Sequence, residues 1–283
     1  MNELHSLAYA KINLTLGITG KREDGYHTVD TVMQSVSLAD RITVEKQADI
    51  SVNCIGADVC EKDNTAYKAA RLFFDKTGIS GGAKIDIVKN IPAAAGLGGG
   101  SADAAAVLLS LNKLYNGGLN PQELCNIAVS IGADVPFFIE GGTKRARGIG
   151  EVLSDCTPLP DCQILIIKHG EKPSTAQMYK RLDGAKNSFV IDNDKFVQLL
   201  KDGSLKTLCG SLANSFEVLW DNSELKKLLC DTRPLCVSLS GSGPSMFAVY
   251  DNETSLLKAK ETLDNREYEC YLTRPVDCGV KFE

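Results

Sequence analysis

Four glycines fall within five positions, Gly96-Leu97-Gly98-Gly99-Gly100, and run directly into Ser101-Ala102-Asp103. Glycine lets a backbone approach a ligand closely and turn its N–H groups toward it. The segment lies between a strand-like run, in which Ile85, Ile87, Lys89 and Ile91 alternate, and an alanine- and leucine-rich run that predicts a helix. A helix starting there aims unsatisfied N–H groups and its positive dipole end at the same point. Polyphosphate binding by Pro92, Ala93, Ala94, Ala95, Gly96, Leu97, Gly98, Gly99, Gly100 and Ser101 is the chemistry this suits. A flexible turn with Ser101 as a helix N-cap would read the same way. A Walker A loop is excluded, because no lysine stands between Gly100 and Ser101, and a dinucleotide fingerprint would need glycine at Ser101. Asp103 reads as a partner of the helix dipole, since a carboxylate aimed at phosphates would repel them.

Two charged residues stand in apolar surroundings. Lys11 lies in the strand-like run 4–19, where a lysine must reach a partner unless it sits at an edge facing water. Asn13, two residues on, shares its strand face. Asp134 follows the helix terminator Gly132 and precedes Val135-Pro136. A carboxylate there either caps a turn or needs a partner.

The elements that must position these residues are intermixed strands and helices. Strands are expected at 4–19, 41–46, 50–55 and 83–91, the last stopping at Pro92. Helices are expected at 64–76, closed by Gly78, and at 101–115, stopped by Gly117-Gly118. Asn120 as cap, Pro121 in the first turn and Leu124, Ile127, Ala128 and Ile131 on one face predict a third helix, ended by Gly132. The stretch 155–160 reads as a linker. Beyond it come a strand at 164–167, helices near 193–201 and 213–221, a hairpin over 236–250 and a helix near 254–264. Without steady βαβ alternation this predicts an α+β protein of two domains, 1–154 and 155–283.

Composition narrows the function classes. The 283 residues carry a formal net charge of -5, with no dense basic block to hold nucleic acid. No apolar run reaches the roughly 18 residues of a membrane helix, and the first residues lack a signal peptide's pattern, so a cytoplasmic protein with no membrane partner is expected. None of the ten cysteines has CxxC spacing, and the three histidines do not cluster with them.

Ala10-Lys11-Ile12-Asn13-Leu14, the loop at 92–101 and Ser240-Gly241-Ser242-Gly243 occur in the order found in the GHMP kinases, which the chain resembles over nearly its whole length. Arg22-Glu23-Asp24-Gly25-Tyr26-His27, Gly132-Ala133-Asp134-Val135-Pro136-Phe137-Phe138, Gly141-Gly142 and Arg147-Gly148-Ile149-Gly150-Glu151 resemble the member that acts on a cytidine-diphospho-polyol. The resemblance implies a two-domain fold, with an N-terminal ribosomal-protein-S5-domain-2-like domain, a C-terminal ferredoxin-like α/β-plait domain and the active site between them. It implies transfer of the γ-phosphoryl of ATP to a hydroxyl, with Asp134 taking the proton and Lys11 pairing with it. Asn13 would orient the polyol, Tyr26 stack on the pyrimidine and His27 bond its edge. Thr175 and Tyr179 would supply a hydroxyl near the substrate phosphates and a second aromatic, while Gly241 and Ser242 close over the substrate. Asn64 and Lys89 match positions near the nucleotide. Mg²⁺ is expected with ATP, Ser101 alone offering it a hydroxyl because Ala102 stands where a second serine is common. Pro173 and Ser215 are further departures from the family pattern, which has an apolar residue and Asp there. The partners implied are small molecules, on a monomer or homodimer.

Overall fold

The structure, a computed structural model, describes the chain except residues 57–59, 186–189 and 267. Residues 8–16 are buried on both pleat faces, so the strand they form has to be covered on both sides. That strand, β1 (Glu3–Lys21), pairs antiparallel along its whole length with β2 (His27–Gln47), of which the expected run 41–46 is only the far part. Register shifts fall after Tyr9, after Asn13 and after Ile18. Bulges add twist and re-aim side chains, and the first two bracket Lys11 and Asn13.

Around this pair β3 (Ser51–Ile55), β4 (Gly82–Val88), β5 (Thr143–Gly148) and β6 (Val152–Asp155) join the first sheet, which two later strands of the chain also enter. Helices α1 (Thr65–Thr77), α2 (Gly99–Leu114), α3 (Pro121–Val129) and α4 (Val135–Glu140) share its core. Punctuation set these helices well: Asn64 caps α1, Gly78 ends it in the left-handed region, and Asn120 with Glu123 forms a capping box on α3.

The second unit runs β7 (Gln163–Lys168), α5 (Thr175–Asp183), α6 (Asn193–Asp202), α7 (Leu205–Cys209), β8 (Ala213–Asn214), α8 (Ser223–Cys230), β9 (Cys236–Leu239), β10 (Ser245–Tyr250), α9 (Glu253–Asp264) and β11 (Glu269–Thr273). Its sheet is antiparallel in the order β11-β7-β10-β9, the ferredoxin-like arrangement. The helix expected at 213–221 is instead a short strand followed by a 3-10 turn, with α7 and α8 on either side. The Asn214 side chain accepts from the Phe216 N–H, a local bond that competes with a helical one.

One core joins the two units. Ile164, Ile166, Phe247 and Val249 from the second sheet pack with Ala10, Ile12 and Leu14 of β1. Leu165, Ile167, Met246 and Ala248 turn the other way, onto α5, α8 and α9. Because the even positions of β1 enter the shared core, Lys11 and Asn13 are left on the opposite face. The chain then returns: β12 (Val280–Phe282) pairs with β1, and Val36 bridges Pro275, so the last residues of the stretch 155–283 belong to the first sheet. Among the described residues no helix is long and apolar enough to cross a membrane.

The returning segment docks through bare backbone. A Cβ on Gly279 would lie 2.1 Å from the Phe138 carbonyl oxygen. Gly279→Ala is therefore expected to destabilise the protein by about 1–3 kcal/mol, the usual range for forced overpacking. Urea unfolding would read this as a lower midpoint at unchanged slope.

Candidate active site

A cleft of about 1070 Å³ opens between the two units. On one wall lies the glycine-rich loop. Gly98, with φ of 76°, is the N-cap of α2, and its carbonyl accepts from the N–H groups of Ser101 (3.0 Å) and Ala102 (2.9 Å). The helix thus begins two residues earlier than expected, and Ser101 stands in its first turn rather than as its cap. Two glycines serve close protein packing. A Cβ on Gly98 would lie 2.5 Å from Phe138 Cζ, and one on Gly96 would lie 2.3 Å from the Ser240 carbonyl oxygen. The loop is tied down on three sides: Lys11 N donates to Leu97 O (3.0 Å), Thr65 Oγ1 to Gly100 O (2.6 Å) and Ser240 Oγ to Gly96 O (3.0 Å).

Beneath it is a buried triad. Lys89 Nζ donates to Asp40 and to Asp103 Oδ2 (2.6 Å), and Asp40 Oδ1 accepts from the backbone N–H groups of Asn90 and Ile91. Asp103 is therefore the partner of a lysine, not mainly of the helix dipole. Burial pushes its carboxyl up to about 7, with Lys89 opposing and Asp40 adding to the rise. Lys89 borders the cleft but its charge is spent on these two carboxylates. Asn64 also borders the cleft, its Oδ1 occupied in capping α1 through the Ala66 N–H (2.9 Å).

At the mouth of the loop three expected residues meet. Lys11 Nζ donates to Asn13 Oδ1 (2.7 Å) and lies 3.6 Å from Asp134 Oδ2. Asn13 Nδ2 in turn donates to Thr31 Oγ1 (2.8 Å), so the amide is oriented with its oxygen toward the lysine. Asp134 occupies the N-cap position of α4 yet makes no side-chain cap bond. Its carboxylate, 39% exposed, faces the cleft instead. A carboxylate beside a buried ammonium and a fan of helix N–H groups can take a proton from a hydroxyl while phosphates are held opposite.

At the far end His27 stacks on Tyr179, ring centroids 4.8 Å apart, and its Nε2 bonds Asp183 Oδ1 at 2.6 Å. Lys21 holds the other Asp183 oxygen, and these two bonds, the lysine's first, keep that carboxyl below its usual range. Tyr179 is packed edge-on against Phe216, and burial raises its hydroxyl's pKa. Tyr26 borders the same cleft but is 62% exposed and is not part of this stack. Thr175, the first residue of α5, and Gly241 and Ser242 of the hairpin loop complete the wall.

Several contacts of the cleft leave no local signal in the sequence. Asn214 Nδ2 donates to the carbonyls of Leu239 and Gly241, both at 2.9 Å, and Trp220 Nε1 to Ser242 O (3.2 Å), fixing the hairpin loop from behind. Asp183 reads as an ordinary acid at a helix end. Lys172 lies in a loop without periodicity, yet its Nζ donates to Ser242 Oγ at 2.6 Å inside the cleft.

Comparison with known proteins adds independent findings. The family model for the GHMP kinases N terminal domain matches residues 64–142, the span that holds the glycine loop and Asp134. The chain is 38% identical over 283 residues to the 4-diphosphocytidyl-2-C-methyl-D-erythritol kinase of Acetivibrio thermocellus, with 98% of this chain and 100% of that one covered. To the enzyme of the same description from Alkaliphilus metalliredigens it is 39% identical, with 93% of each covered. A crystal structure of a 4-(cytidine 5'-diphospho)-2C-methyl-D-erythritol kinase matches with a TM-score of 0.78 at 31% identity, over 96% of this chain and 99% of that one.

The triad under the loop gives two expected outcomes. Lys89→Met leaves two buried carboxylates facing each other and should cost about 3–5 kcal/mol of stability in denaturant unfolding. A carboxyl whose pKa rises on folding contributes stability that is present below its ordinary value of 3.8 and is lost as pH climbs through about 7. Melts of Asp103→Asn should therefore show a smaller decline from about pH 4 to about pH 7 than the parent protein.

Proposed function

Since the chain belongs to the 4-diphosphocytidyl-2-C-methyl-D-erythritol kinases, within the GHMP kinase family, we propose that its cleft moves the γ-phosphoryl of ATP to the 2-hydroxyl of 4-diphosphocytidyl-2-C-methyl-D-erythritol. The products are the 2-phosphate and ADP, a step of the non-mevalonate route to isoprenoid precursors. The observation that carries this reading is the meeting of Asp134, Lys11 and the loop at the start of α2, with the His27–Tyr179 stack at the other end of the same cleft.

In this reading the loop from Pro92 to Ser101 cradles the ATP phosphates with its N–H groups and the α2 dipole. Asn64 and Lys89 shape the wall behind the nucleotide, Lys89 by holding the loop's floor. Asp134 accepts the proton of the acceptor hydroxyl as its oxygen bonds to phosphorus and the bond to ADP breaks. Lys11, fixed by Asn13, steadies the developing charge, and Asn13 has its amide beside the polyol. The cytosine lies at the His27 corner, with Tyr179 and Tyr26 as its aromatic contacts and Asp183 setting the imidazole's orientation. Thr175, Gly241 and Ser242 face the acceptor's phosphates.

Mg²⁺ accompanies ATP in this scheme. Among the described residues no three His, Cys, Asp or Glu side chains form a cage, which fits an ion held by phosphate oxygens, water and the Ser101 hydroxyl in the first turn of α2. When bound, it supplies charge neutralisation at the bridging oxygens. The residues 1–154 and 155–283 form the two sides of the cleft. The reading also takes the enzyme to be cytoplasmic, as a monomer or homodimer.

Coupled ADP release with the cytidine-diphospho acceptor, set against homoserine, mevalonate and galactose, tests the reaction. Turnover with only one of the latter three would overturn it. Asp134→Asn should lower kcat by about 10²–10⁴-fold, the range for a general base, while ATP-analogue binding persists. A near-normal kcat would remove Asp134 from the mechanism.

A further inference from the structure

The lysines of the cleft differ in what holds them. Lys89 is neutralised by Asp40 and Asp103, Lys21 by Asp183, and Lys11 stands beside Asp134. Lys172 is held by hydroxyls: Ser242 Oγ at 2.6 Å and, more weakly, Thr175 Oγ1 at 3.5 Å. Ser242 belongs to the loop whose neighbour Ser240 bonds Gly96 of the phosphate loop, so Lys172 is tethered at the seam between the two loops. The charges that act on it are Lys11 and Asp134, the pair at the reacting hydroxyl's place. Lys11, Lys172 and Asp134 all line the same cleft, so its wall there carries two ammonium groups and one carboxylate. Burial first, and Lys11 next, push the Lys172 ammonium down to about 8, with Asp134 opposing. An incoming anion relieves this repulsion, and the group that must pass between the loop and Asp134 carries charge on three oxygens.

We propose that Lys172 is a second cationic contact of the transferred phosphoryl group, bonding its oxygens as it moves from ADP to the acceptor, with Ser242 positioning the ammonium beforehand. The inference rests on the kinase reading above, and it adds one cation from the loop between β7 and α5 to the charges that meet the transferred group.

The test uses the full chain and the variants Lys172→Met and Lys172→Arg. Lys172→Met should lower kcat about 100-fold, as the loss of one preorganised donor does, with the acceptor KM changed less than about threefold. Its affinity for ADP should match the parent's, while affinity for ADP with aluminium fluoride, a planar mimic of the phosphoryl in flight, should fall at least about tenfold. Lys172→Arg should recover part of both losses. Should Lys172→Met melt early, the arginine variant is read by the same ratio of the two ADP affinities. Unchanged kcat, or a loss confined to the acceptor KM, would overturn the proposal, the second placing Lys172 on the acceptor's own diphosphate. If the parent protein fails to turn over the cytidine-diphospho acceptor, the substrate reading fails, whereas the fluoride-complex comparison still judges Lys172 by itself.

Discussion

At Gly96 the phosphate loop runs so close to the Ser240 carbonyl that a Cβ would sit 2.3 Å from it, and the two loops bond through Ser240 Oγ and Gly96 O. This contact joins the first unit to the second at the wall of the cleft. With φ of 80°, Gly96 is also in a region that other residues enter only at a cost. The hairpin loop is held from behind by Asn214 and Trp220, so the glycine-rich loop rests on a partner that is itself hydrogen-bonded in place. Ser242 and Lys172 take their positions from it. The loop's other side depends on β1, through Leu97 O and the Lys11 N–H. A single residue, Lys11, thus supplies the backbone that anchors the loop and the side chain that faces Asp134.

The shared core explains why such a contact can hold still. A cleft between two sheets would open and close if the sheets met only at a polar interface. Here both faces of β7 and β10 are covered, one by helices and the other by β1 and its neighbours. The return of β12 to β1 closes the chain over this junction. Preorganised donors act on a transition state without reorganising, and a shared core of this kind is a frame suited to hold them.

Much of this was legible in the residues. Asn64, Gly78, Asn120, Pro121 and Glu123 marked helix ends because caps depend on local geometry. Lys11, Asn13 and Asp134 stood out because charge and amide groups in apolar runs need partners. What could not be read came from long range. The first part of β2 gave no clear alternation because it is covered on both faces, and α7 was too short to show a period. Lys172 and Asp183 became notable only when folding brought Ser242 and His27 to them, across 70 and 156 positions. A glycine run points to room for a ligand, while Gly96 and Gly98 are required first by protein atoms.

The absent Walker lysine bears on how the charge of ATP is met. Lys89 comes close to the loop, since a Cβ on Gly99 would lie 3.3 Å from its Nζ. Asp40 and Asp103 already neutralise it, which weakens its pull on a phosphate. Its work is to hold Asp40, which in turn holds the backbone at Asn90 and Ile91 where the loop begins. In the kinase reading, positive charge for the phosphates comes from Mg²⁺, from the N–H groups of the loop and from across the cleft. A lysine planted in the phosphate loop travels with ATP's side of the site. In the reading proposed above, the cations on β1 and before α5, Lys11 and Lys172, lie on the acceptor's side of that cleft instead, where the charge of the transferred group ends.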